Sequence, residues 1–181
     1  MRLIITMALL ALLIMMPCIA EPDSVTTGPY KVTFDLGIPT DAYKVEIAEP
    51  KIEESLSGEI HTTFNIELVN KTGLSRRAII ILISYETEQI IPLPGELSEI
   101  LEYYLLQRDD IYNIDAAERE IDSHDGAVAS GELIPLGIDT YNAIYYLSST
   151  DIVTIGSAYP WEEGTLQLLK TIHVEKINET A

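Results

Sequence analysis

Sulfur is almost missing from this chain once its first segment is set aside. The one cysteine, Cys18, and all four methionines (Met1, Met7, Met15, Met16) lie within the first eighteen residues. From residue 21 onward no disulfide, thiolate nucleophile, iron–sulfur cluster or soft copper site can be assembled. Positive charge is also scarce: 11 Lys and Arg stand against 29 Asp and Glu, a net charge of −18. Such a field repels nucleic acid and anionic headgroups and favours cations and basic partners. The motifs of common enzymes are missing too. There is no P-loop, no G-x-G-x-x-G, no G-x-S-x-G around Ser157 and no H-E-x-x-H pair. Three histidines, His61, His124 and His173, are spread over different segments, so a tetrahedral zinc site has no signature.

What the first segment does contain is a targeting pattern. Arg2 precedes an apolar run from Leu3 to Met16, broken only by Thr6. Fourteen residues suit a secretory signal, whereas a spanning helix needs about 20. Cys18 and Ala20 place small residues where a signal peptidase reads them, so residues 1–20 are expected to be a signal peptide cut before Glu21. Lipidation at Cys18 is the second reading and a retained anchor the third. The expected location is secreted or at the cell surface, with no transmembrane segment in the mature chain. Cleavage removes Arg2 and no acid, moving the net charge to −19. The remaining 161 residues are enough for one domain with an ordinary core.

Residues 21–27 read as a polar lead-in. Val32, Phe34 and Leu36 then alternate with polar residues, as do Tyr43, Val45 and Ile47, and Ile60 through Leu68, which predicts strands. Ala78–Ile83 is continuously apolar and predicts a central strand covered on both faces. After Pro92-Leu93-Pro94-Gly95 the period changes. Leu97, Ile100, Leu101, Tyr104 and Leu105 predict one apolar stripe on a helix, with Glu96 and Glu99 suiting its N-terminal dipole. A strand is expected from about Arg119, turning at Ser123-His124-Asp125-Gly126 into Ala127–Leu133. A second hairpin turns about Ser148–Asp151, and Pro160-Trp161-Glu162-Glu163 opens a short helix before a terminal strand at Ile172–Glu175. The predicted class is α+β, an antiparallel sheet with helices packed on its faces, in one domain over residues 28–176 with a polar tail at 177–181.

Three stretches carry a resemblance. Ile121-Asp122 with Asp125 through Gly131, Tyr141 through Tyr146, and Trp161 through Val174 resemble small exported archaeal proteins similar to the PsbP-like superfamily. That family's α/β/α sandwich is shared by photosystem II extrinsic proteins and a Ran-binding import factor. The resemblance implies that fold and a partner-binding or assembly role. It supplies no catalytic residue, and the photosystem proteins' binding residues have no counterpart motif here.

Asp122-Ser123-His124-Asp125-Gly126 is the densest polar cluster. It reads either as a hairpin turn or as a cation site at Asp122, His124 and Asp125, whose carboxylates supply the oxygen ligands that a hard cation such as Ca²⁺ prefers. Aromatic rings gather in the second half, Tyr103, Tyr104, Tyr141, Tyr145 and Tyr146 among them, and Tyr159 with Trp161 are the expected exposed partner contacts. Asn70-Lys71-Thr72 and Asn178-Glu179-Thr180 are sequons, so Asn70 and Asn178 could accept glycans on an exported chain. The functional expectation is an exported, non-enzymatic interaction or assembly module that needs no cofactor and binds a protein or cell-surface component. The alternative is an extracellular small-ligand or Ca²⁺-binding protein.

Overall fold

A computed structural model describes residues 22–54, 58–71, 77–86, 91–93, 95–134, 136–159 and 161–177, without the side chains of 158 and 159. The signal-peptide expectation for residues 1–20, Cys18 included, and Asn178 lie outside the described residues. No helix among the described residues is long and apolar enough to cross a membrane.

Two antiparallel sheets share one core. The smaller joins β1 (Asp23–Thr27), β2 (Tyr30–Phe34) and β11 (His173–Lys176) in the order β1-β2-β11. The larger runs β3-β5-β6-β10-β9-β8-β7, with β4 also paired to β5. Its strands are β3 (Tyr43–Ile47), β4 (Lys51–Glu54), β5 (Ile60–Asn70), β6 (Arg77–Tyr85), β7 (Ile111–Ile121), β8 (His124–Leu133), β9 (Ile138–Tyr146) and β10 (Asp151–Tyr159). Helix α1 (Glu96–Leu106) lies on one face of the large sheet. Helix α2 (Glu162–Thr171) and the small sheet lie on the other. The α+β class with two packed helices is therefore the observed one.

Period-two alternation sorts the side chains between these layers. Val32 and Phe34 from β2, Ile66 and Leu68 from β5, and Ile79, Ile81 and Ile83 from β6 meet Leu168 and Leu169 of α2 in the main core. On the opposite face Ala127, Ala129 and Ile144 meet Leu97, Leu101 and Leu105 of α1. Both α1 and α2 are short, so their stability comes from this packing rather than from intrinsic propensity. The N-terminus of α1 is capped from within and from a distance. Glu96 Oε2 accepts from the Leu93 amide at 2.8 Å, and Glu118 Oε1 of β7 accepts from the Ser98 amide at 2.7 Å. Both carboxylates sit where the helix dipole favours negative charge.

Several expectations need correction. Residues 23–27 are strand β1 rather than a loose lead-in, because Val25, Thr26 and Thr27 are β-branched and pair in register with β2. Strand β7 begins at Ile111, not near Arg119. Its register shifts between Tyr112 and Asp115, where Asn113 takes a positive φ of 53°, and that bulge hides the alternation. The hairpin turn falls on Asp122 and Ser123, with φ of 53° and 62°, two residues before the expected centre at His124 and Asp125, while Asp125 and Gly126 already belong to β8. Gly126 is there for space: a Cβ would lie 2.8 Å from the Ile144 carbonyl oxygen on β9. In β6, Ile79, Ile81 and Ile83 are fully buried but Ile80 and Leu82 are only half-buried, so one face of that strand is incompletely covered.

Candidate functional site

The residues singled out in the sequence do not converge on one centre. Trp161 is 4% exposed and packs in the main core. Its ring folds over Gly164, where a Cβ would come within 2.4 Å of it, and its carbonyl accepts from the Thr165 hydroxyl at 2.8 Å. The expectation that Trp161 is an exposed contact is therefore corrected; the Tyr159 side chain lies outside the described residues. Asn70 is half-buried at the last position of β5, while Thr72 of its sequon and the neighbouring Gly73 lie outside the described residues.

Asp122, His124 and Asp125 are not gathered around a common point. Asp122 Oδ1 lies 2.6 Å from His173 Nδ1, and its Oδ2 accepts from the Val174 amide at 2.8 Å. The Tyr145 hydroxyl reaches the same oxygen at 3.5 Å, and His124 stacks on the Tyr145 ring at 5.9 Å. Asp125 is exposed, opposite Glu120 on β7. Among the described residues no group of three or more His, Cys, Asp or Glu side chains could hold a metal ion. Asp122 instead latches the β7–β8 turn to β11, joining residues 51 positions apart. His173 is largely exposed, as its place between buried Ile172 and Val174 predicts. No serine, threonine or cysteine is hydrogen-bonded to its ring among the described residues, so the pair lacks the nucleophile that acyl transfer needs.

A second carboxylate cluster escaped the sequence reading. Asp151, at the start of β10, is 3% exposed. It accepts from Ser148 Oγ at 2.6 Å, Thr150 Oγ1 at 2.8 Å, Lys176 Nζ at 2.9 Å and the Tyr30 hydroxyl. Burial alone would raise its pKa, but the donors from Ser148, Tyr30, Lys176 and Thr150 outweigh that and hold it at about 2. Tyr30 is pushed well above its ordinary range, by burial first and by the Asp151 hydrogen bond second. Lys176 also sits 4.8 Å from the Tyr85 ring centroid. Every acceptor oxygen of Asp151 is thus occupied by the protein itself. The cluster pins the small sheet to the β9–β10 hairpin and has no free valence for a substrate.

The outward face of α1 is different. Tyr103 and Tyr104 are 62% and 63% exposed and form an edge-to-face pair with centroids 6.1 Å apart. With Glu96, Glu99 and Ile100 they line an open groove of about 400 Å³. Helical spacing turns positions 96, 99 and 103 away from Leu97, Leu101 and Leu105, while Ile100 and Tyr104 flank that row, Tyr104 with its ring in solvent. Tyr104 is therefore a surface residue, against the expectation that placed it on the buried stripe. The core takes the i, i+4, i+8 row, which meets Ile111, Ala127, Ala129 and Ile144 across the interface.

A groove of about 180 Å³ opens over the uncovered part of β6 and β10, lined by Ile80, Leu82, Asn142, Thr154 and Arg108. Asn142 Nδ2 in this groove, and Asn65 Oδ1 beside Leu82, are buried without a hydrogen-bond partner in the protein.

No family model, curated protein or solved structure matches this chain. Function must accordingly be read from these surfaces.

Proposed function

We propose that this chain is an exported, non-enzymatic interaction or assembly module whose contact surface is the Tyr103–Tyr104 face of α1. One observation carries the reading: two tyrosine rings, each more than three-fifths exposed, stand side by side on a helix whose opposite face is fully committed to the core. Tyrosine presents a large apolar body with a polar tip, and such rings dominate recognition surfaces. Glu96 and Glu99 flank them, and the net charge of −18 favours a basic partner. The PsbP-like α/β/α sandwich belongs to this proposal as well. A helix on each face of an antiparallel sheet supports it, and the three-stranded sheet beside α2 adds to the plain sandwich. The test is chemical crosslinking of the exported chain at its native surface. Wild type is expected to give a discrete adduct that Tyr103→Ala/Tyr104→Ala loses and that weakens with salt. An undiminished adduct from the double variant would remove this face as the contact.

The groove over β6 and β10 favours a second reading, a small-ligand protein. Its unpartnered Asn142 Nδ2 offers a donor to a neutral polar molecule. On this reading Asn142→Leu raises the unfolding free energy by about 1 kcal/mol, by removing an unsatisfied buried group, and abolishes uptake of a sugar or peptide fragment. Uptake unchanged in that variant would exclude the groove.

A further inference from the structure

Strands β3 and β4 lie end to end along the same side of β5. Residues 43–47 pair with 70–66, and residues 51–54 pair with 63–60. The Ala48 amide also reaches the Asn65 carbonyl at 3.1 Å. Residues 43–54 thus form one nearly continuous edge of the large sheet, and on its outer side no strand is paired among the described residues. This edge is unusually apolar for an exposed one. Val45, Ile47 and Ile52 are 37%, 50% and 69% exposed, and neighbouring Ile60 on β5 is 60% exposed. Lysines and a proline punctuate it, as on edges that repel stray strands.

The charges, however, are arranged to suit one partner. Between Ala48 and Lys51 two residues, Glu49 and Pro50, stand opposite the single Phe64. That extra residue switches the alternation, so Lys44, Glu46, Lys51 and Glu53 all point to one face and Val45, Ile47 and Ile52 to the other. Set the edge antiparallel to a second copy of itself, with the two-fold axis between Ala48 and Glu49. Lys44 then faces Glu53 of the other copy, Glu46 faces Lys51, Val45 faces Ile52 and Ile47 faces Pro50. Every cation meets an anion and the apolar residues meet one another, twice over by symmetry. The present partners, Lys44 with Glu46 and Lys51 with Glu53, are exposed pairs at 2.6 and 2.7 Å. Such pairs contribute little on their own, so re-pairing across a seam forfeits little.

We propose that two copies of this chain associate through the 43–54 edge in this register, joining their large sheets into one. A generic acidic or basic strand would leave half of these charges opposed by like charge, which is why the occupant is a second copy. The seam lies at the far end of the sheet from α1, so it stands or falls independently of the α1 contact.

Sedimentation equilibrium of the exported chain, with melting curves to verify folding, tests the idea. Wild type is expected to show a concentration-dependent dimer. Glu53→Lys sets like charges against each other at Lys44 and weakens dimerisation at least about tenfold, and Lys44→Glu added to it restores the dimer. A wild type that stays monomeric at its highest soluble concentration overturns the proposal. So does a dimer indifferent to Glu53→Lys, or one restored by Lys51→Glu in place of Lys44→Glu, which would mean a different register.

Discussion

Asp151 illustrates how a single carboxylate ties distant parts of the chain together. Lys176 and Tyr30 come from opposite ends of the sequence, and both donate to it alongside the local Ser148 and Thr150. Its folded pKa of about 2 lies below the ordinary 3.8, so the folded state holds its proton less tightly than the unfolded chain does. The stabilisation is fully present above pH of about 4 and is lost as pH falls toward 2, an effect of about 2 kcal/mol. Urea unfolding as a function of pH should show that loss in wild type. Asp151→Asn should be less stable at neutral pH by about 2–3 kcal/mol, since it leaves the Lys176 ammonium beside a buried neutral group, and should lose correspondingly less than wild type on acidification. A variant with the wild-type acid profile would show that another group controls it. None of this was legible in the sequence. Asp151 reads there as one of 29 acids in a turn, and the donors that distinguish it arrive through the pairing of β2 with β11.

Among the elements, α1 shows both how far pattern reading reaches and where it stops. Its period, its start after Gly95 and its acidic first turn follow from local chemistry and are present as expected. The width of its buried stripe does not, because that depends on what it packs against. Ile111, Ala127, Ala129 and Ile144 cover one row of leucines and leave Tyr104, which flanks that row, exposed. The two faces should respond to mutation in opposite ways. Leu101→Ala should cost about 2–5 kcal/mol in chemical unfolding through the cavity it leaves. Tyr103→Ala/Tyr104→Ala should change stability by no more than about 1 kcal/mol, as exposed substitutions do. A double variant as damaging as Leu101→Ala would mean that the tyrosines are structural. Strand β7 failed to read for a related reason: the bulge at Asn113 breaks the alternation, and most of its residues face solvent, so no apolar period marks it. Strand β1 failed because Asp23, Ser24 and the threonines read as polar, although β-branched residues pair readily at an edge. Trp161 read as exposed because it follows a proline at an element boundary. Its burial depends on the absence of a side chain three residues later, at Gly164, a relation between ring and backbone that composition does not show.

For the molecule as a whole, two sheets and two helices spend their apolar surface on one another, and the polar clusters at Asp122 and Asp151 serve to fasten the layers. Among the described residues, the exposed apolar side chains include the tyrosine face of α1 and the edge at β3 and β4. The most direct measurement is site-specific photo-crosslinking from the chain in its native cells, with a photoreactive side chain placed at Tyr103 in one sample and at exposed Lys170 on α2 in another. The account predicts a discrete adduct from position 103, diminished by high salt, and none from position 170. Equal labelling from both positions, or an adduct from 170 alone, would contradict it.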